Sequence, residues 1–315
     1  MYSPKPIAQH HLPEQDGHKV YFAEYGNPNG ETIISVHGGP GSQAKPKHAS
    51  RLNLQKYRVI LFDQRACGKS EWLDPLNENT IQKLAADMER IREALNIDKW
   101  FVTGGSWGST LALYYAQQHP EKIKGLMLSA IFLGDTLSTD WFGGPAGVSM
   151  LYTDVWEHRN KTFESVGLRL DSTAQDINEK LLSLEPEKQK ELVAGIMNWE
   201  GNLMSSSSDV SYIDAEDVTE SDITAVKVFM HYESNHFFMK NDEILNEIDK
   251  IKQVPLVIVH GRHDILCPYK RAWDLKIQHG TAEIVSLPQS NHSFSADGEI
   301  AKRYIYENFL SQHIK

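Results

Sequence analysis

Cysteine is almost missing from this chain. Cys67 and Cys267 are the only two in 315 residues, which excludes a disulfide framework and a thiolate metal site and fits a reducing compartment. Long apolar runs are missing too: the longest, "GLMLSAIFLG" from residue 125, is too short to span a bilayer. The start, "MYSPKPIAQHHLPEQDG", lacks the basic end and apolar stretch of a secretory signal. A soluble, cytoplasmic protein is therefore expected. There is no excess of positive charge: 32 Lys and Arg stand against 42 Asp and Glu, for a formal net charge of −10. That balance argues against nucleic acid or an anionic membrane as partner and leaves a small molecule. No internal repeat is found.

What is present is an ordinary globular composition, 40% hydrophobic and 23% charged, long enough for a large core. Short apolar runs recur: "TIISVH" from 32, "YRVILFD" from 57, "WFVTG" from 100, "GLMLSAIF" from 125, "PLVIVH" from 255 and "AEIVSL" from 282. Helical patterns lie between several of them. In "NTIQKLAADMERIREALNI", Leu84, Met88, Ile91 and Leu95 share a face, and Asn79 with Gln82 reads as a capping signal. Strands alternating with helices imply an α/β fold whose mostly parallel, doubly wound sheet is covered on both sides. From about 135 to 245 the strand rhythm gives way to polar helical text, including the serine run at 205–208. The expectation is a core from 1–134 and 246–315 with a helical insertion at 135–245, lying over the carboxyl ends of the strands.

The chemistry begins at "VTGGSWGSTLAL", residues 102–113. Gly104, Gly105 and Gly108 leave Ser106 almost bare, between a buried strand and a helix that stops before Pro120. This is the G-x-S-x-G order in which a strained strand-to-helix turn presents a serine above a sheet. A serine hydroxyl becomes a nucleophile only when an imidazole takes its proton, and a carboxylate must orient that imidazole. Asp264, after "PLVIVHGRH", and His292, after "AEIVSLPQSN", follow late strands in the required chain order. Asn291 is the residue expected to accommodate a left-handed turn before His292. "HGGPG" at 37–41 lets backbone N–H groups approach a substrate, making Gly39 and Trp107 the candidate donors to an oxyanion.

A metal site is the competing reading of "HGRHD", where His260, His263 and Asp264 would need a second cluster such as "HYESNH" at 231–236. No H-E-x-x-H or paired-cysteine motif supports it, so neither metal nor cofactor is expected.

Taken together, "GNPNGETIISVHGGPGS", "YRVILFDQRACGKS", "DKWFVTGGSWGSTLALYYAQQHPEKI" and "GRHDILCP" resemble the proline iminopeptidase family of serine peptidases, over nearly the whole core. The resemblance implies an α/β-hydrolase fold, a triad of Ser106, Asp264 and His292, a helical cap, and removal of one N-terminal residue, proline above others, from small peptides. It also implies that Glu200 in "NWEG" and Glu233 in "HYESNHFF" hold the substrate's ammonium group, as buried carboxylates do by charge-assisted hydrogen bonds. Cys267 matches the family's pattern near the pocket. The chain departs from the family where Ile196 replaces a tryptophan, at Leu128, Ser129 and Ala130, and where Gly134 and Asp135 stand in the region of an arginine. These departures bear on substrate choice. An amidase or esterase acting on amino-acid amides or small esters is the alternative on the same fold.

Overall fold

The computed structural model describes residues 3–204 and 209–314, so the serine run at 205–208 lies outside the described residues. Ten strands occur among them: β1 Ala8–His11, β2 His18–Lys19, β3 Tyr21–Gly26, β4 Glu31–Val36, β5 Tyr57–Phe62, β6 Glu71–Trp72, β7 Trp100–Ser106, β8 Ile123–Ile131, β9 Leu256–Gly261 and β10 Glu283–Leu287. Eight form one sheet in the order β1-β3-β5-β4-β7-β8-β9-β10, and β2 pairs with β6 separately. β1–β3 and β3–β5 are antiparallel, and every later pairing is parallel.

All six apolar runs form strands of this sheet. The antiparallel edge, β1 and β3, was not legible in the same way, because "AQHH" and "YFAEYG" are short and polar-interrupted. Successive strand residues divide between two cores. Ile34, Ile60 and Val102 join one cluster with α2 (Ile81–Ala94), α3 (Trp107–Gln118) and α10 (Tyr269–His279), while Ile33, Val59 and Phe101 join another with α11 (Ala296–His313). The period of two forces this division, and each fully buried large side chain contributes about 1.5–3 kcal/mol.

α2 starts one residue later than the capping signal suggested. Thr80 accepts from Lys83 N at 3.3 Å, whereas Asn79 is buried and bonded to Pro75 O, Arg65 O and the Tyr232 hydroxyl. Its side chain serves tertiary contacts instead of the helix end.

The 135–245 segment is helical. It holds α4 Thr136–Gly143, α5 Thr153–Ser165, α6 Ala174–Ser183, α7 Pro186–Met204, α8 Glu220–Ser234 and a short turn of helix at Glu243–Asn246. α5 to α8 build a core of their own around Leu181, Leu192 and Val193, yet Val228, Tyr232, Phe237 and Leu245 belong to the main core. Among the described residues no helix is long and apolar enough to cross a membrane.

Candidate active site

Ser106 ends β7 and precedes α3 with φ 57° and ψ −134°. A non-glycine residue held there costs of order 1–3 kcal/mol, a strain the packing around it must overcome. The packing explains the glycines. A Cβ on Gly104 would strike the backbone of Gly108, and one on Gly108 would strike the carbonyl of Val36, so helix, turn and strand approach this closely only without side chains. Gly38 faces the serine, its ideal Cβ position lying 3.5 Å from Ser106 Cβ.

Asp264 and His292 come to the same sheet end from the loops after β9 and β10. His292 Nδ1 donates to Asp264 at 3.1 and 3.0 Å, and Asp264 Oδ1 also accepts from the backbone of Leu266 and Cys267 at 3.1 and 2.8 Å. The carboxylate therefore fixes the imidazole through Nδ1 and leaves Nε2 on the opposite side of the ring. Burial, the largest single influence, pulls the His292 pKa down, but the charge and hydrogen bond of Asp264 together with the contact to Cys267 outweigh it, and the net shift is upward. Cys267 sits between, its thiol against both His292 and Ser106. Burial raises the thiol's pKa, leaving it neutral and unsuited to act as the nucleophile. The left-handed residue of the histidine loop is Phe294, at φ 54°, and not Asn291. The turn closes after the histidine, through Phe294 N to Asn291 O.

The "HGGPG" loop is held by residues the sequence did not single out. His37 accepts from Gln64 N at 3.1 Å through Nε2, so its Nδ1 carries the proton and donates to Gly38 O at 2.8 Å. The Gln64 side chain joins His37 O, at 2.9 Å, to the Trp107 indole, also at 2.9 Å. This side chain ties the two backbone segments that carry Gly39 and the Trp107 N–H. Trp107, as the first residue of α3, has an N–H with no partner in the helix.

Ser106, His292, Gly38 and Gly39 line one cavity of about 950 Å³, and Glu200, Ile196 and Phe229 of the inserted helices line it too. Burial raises the Glu200 pKa, and the nearby His292 opposes the rise. Glu233 is not on this wall. It is near enough to Glu200 for repulsion, and burial pushes it up to about 7. Arg159 of α5 is its counterpart: its guanidinium lies 4.4 Å from the Trp156 ring and 3.9 Å from the Phe163 ring, and burial lowers it to about 10 against the pull of Glu233. No short-range pattern marks Arg159, because α5 and α8 meet only in the fold.

The metal reading does not survive this geometry. His260 Nδ1 accepts from Ile131 N at 3.1 Å and its Nε2 donates to Cys267 O at 2.9 Å, so both nitrogens are engaged. His231 is bonded instead to Asn79 O at 3.1 Å.

A mostly parallel sheet with a strained serine at the end of β7 and a carboxylate and histidine paired beyond the ends of β9 and β10 defines an α/β hydrolase of the serine type. The family model of the α/β hydrolase fold matches residues 31–298. A proline iminopeptidase of Neisseria gonorrhoeae is 35% identical over 304 residues, covering 93% of each chain, and one of Arabidopsis thaliana is 34% identical over 95% of this chain and 78% of its own. Among solved structures, a proline iminopeptidase-related protein of Thermus thermophilus superposes with a TM-score of 0.56 at 19% identity, covering 98% of this chain and 99% of its own. The chain belongs to the proline iminopeptidase family, and it is a serine hydrolase.

Proposed function

We propose that the chain is an aminopeptidase that releases N-terminal proline from small peptides through an acyl-enzyme, with Ser106 as nucleophile, His292 as general base and acid, and Asp264 as its orienting carboxylate. His292 Nε2 takes the Ser106 proton as the hydroxyl attacks the first peptide carbonyl. The negative oxygen is met by the N–H groups of Gly39 and Trp107. The same imidazole protonates the leaving amine, and water then repeats the sequence to free proline. The single observation that carries the reading is Glu200 on the wall of the cavity that holds Ser106 and His292. A carboxylate there suits a free ammonium group, and the nearby Glu233 supplies the second negative charge. Residues 135–245 act as the cap that closes this end, and the two free, buried cysteines support a cytoplasmic setting.

Treatment with diisopropyl fluorophosphate tests the chemistry. The account expects loss of prolyl-4-nitroanilide hydrolysis in step with one adduct, mapped by mass spectrometry to Ser106. Ser106→Ala should take no adduct and lose turnover by roughly 10⁵-fold. An adduct elsewhere, or full turnover in Ser106→Ala, removes the serine mechanism. Hydrolysis of simple acetate esters without any aminoacyl amide would move the chain to the esterases.

A further inference from the structure

The catalytic cavity has a second end that the reaction above does not use. Its lining passes Thr103 and Ser129 and reaches Arg51, Glu299, Lys302 and Tyr306 on the α11 side of the sheet. Ser129 stands directly behind the nucleophile turn: an ideal Cβ on Gly105 would lie 2.9 Å from its Oγ. At the far wall two cations share a single carboxylate oxygen. Glu299 Oε1 accepts from Arg51 Nη2 at 3.0 Å and from Lys302 Nζ at 3.2 Å.

The sharing leaves one positive charge uncompensated at a site where Lys302 and Tyr306 are each only 4% exposed. Hydrogen-bonding capacity is left over as well. Arg51 Nε and Glu299 Oε2 are buried and have no partner among the described residues, the Tyr306 hydroxyl has only the Ser129 and Thr103 hydroxyls beside it, and the Lys302 ammonium, 4.3 Å from the Phe294 ring centroid, uses one of its three protons on Glu299. Burial and the neighbouring Arg51 lower Lys302 to about 8, which leaves it cationic at neutral pH. His48, nearby, is pushed down to about 3 by burial and by Arg51, and so adds no charge. A net positive group, with Lys302 buried and the Arg51 side chain 35% exposed, that opens spare donors on a cavity is a receptor for an anion.

We propose that Arg51, Lys302 and Tyr306 bind the C-terminal carboxylate of the leaving peptide, so that the enzyme acts best on dipeptides and tripeptides with a free C-terminus. The proposal rests on the aminopeptidase reading above, because the anion must belong to a molecule whose first carbonyl is at Ser106. Glu200 then meets one terminus of the substrate and the Lys302 cluster the other, and Glu299 Oε2 is left to accept an N–H of the leaving residue. A cavity of about 950 Å³ accommodates peptides of this length.

The test compares prolyl-leucine and prolyl-leucyl-glycine with their C-terminal amides, beside prolyl-4-nitroanilide, on wild type, Lys302→Met and Lys302→Arg. The readout is the acid-to-amide ratio of kcat/KM, in which any general loss of activity cancels. Wild type should favour the acids roughly tenfold or more, mainly through KM. Lys302→Met should bring the ratio close to one, and Lys302→Arg should retain most of it. Should Lys302→Met not fold, competition against the nitroanilide on wild type decides, with N-acetyl-leucine expected to inhibit and N-acetyl-leucinamide not. Equal use of acids and amides by wild type, equal inhibition by the two competitors, or a ratio that persists in folded Lys302→Met overturns the subsite alone. Failure of wild type to cleave the nitroanilide overturns the aminopeptidase reading and the subsite with it.

Discussion

At the scale of single residues, function turns on which protons are held and where. Glu233, pushed up to about 7 by burial with Glu200 adding to the rise, is half protonated near neutral pH in the free enzyme. An ammonium ligand favours its charged form, so below pH 7 substrate binding must release a proton. The sign is fixed by this linkage: affinity for aminoacyl substrates falls as pH drops through about 7. KM for prolyl-4-nitroanilide, measured from pH 5.5 to 8.5, should rise toward acid in wild type. In Glu233→Gln it should be higher throughout and lose that part of the pH dependence, while the fall of kcat caused by protonation of His292 remains. A wild-type KM that is flat across pH 7 would remove Glu233 from ammonium binding.

Ser106, Asp264 and His292 were legible in the sequence because each follows an apolar run and a turn, so local text reveals both strand and loop. His37, Gln64 and Arg159 were not. Their roles arise from contacts across the fold, as when Gln64 joins His37 O to the Trp107 indole, and no periodicity records such pairs.

At the scale of elements, the junction between the sheet and the inserted helices is a designed joint. Asp135, read in the sequence as a departure that bears on substrate choice, caps α4 by accepting from Ser138 N at 2.9 Å and pairs with the buried guanidinium of Arg271 on α10. It anchors the start of the insertion to the core. Removing one partner of a buried ion pair costs about 3–5 kcal/mol. Here Asp242 and Asp274 also contact Arg271, at 2.6 and 2.9 Å, and can hold its charge, which points to the lower end. Asp135→Ala should therefore lower Tm by roughly 5–10 °C in a thermal melt. A change under 2 °C, on the order of 0.5–1 kcal/mol, would show that the pair does not carry the joint.

The elements themselves divide by how much their patterns say. Five of the six apolar runs were plain because burial on both faces makes their strands nearly continuously apolar, as in "LVIVHG" with every residue buried, whereas β10 at the sheet edge reads apolar though it is only half-buried. The edge strand β1, with alternating half-buried and exposed positions in "AQHH", offers no such run and depends on its pairing with β3.

At the scale of the whole molecule, two cores are joined over one cavity. The sheet core supplies Ser106, His292 and Asp264, proposed above as the reactive groups, and the inserted helices supply Glu200, with Glu233 and Arg159 close by. The resemblance to the proline iminopeptidases points to Glu200 and Glu233, which lie near enough to each other for repulsion.

The central claim is that this enzyme recognises a free N-terminus and hydrolyses the bond after it. The most direct measurement is kcat/KM for prolyl-4-nitroanilide against N-acetylprolyl-4-nitroanilide on the wild-type protein. Acetylation removes the ammonium and leaves the Glu200 carboxylate facing the substrate without a cationic partner, at a cost on the order of 3–5 kcal/mol, so the free substrate should be favoured by a hundredfold or more. Equal hydrolysis of the two substrates would contradict the account.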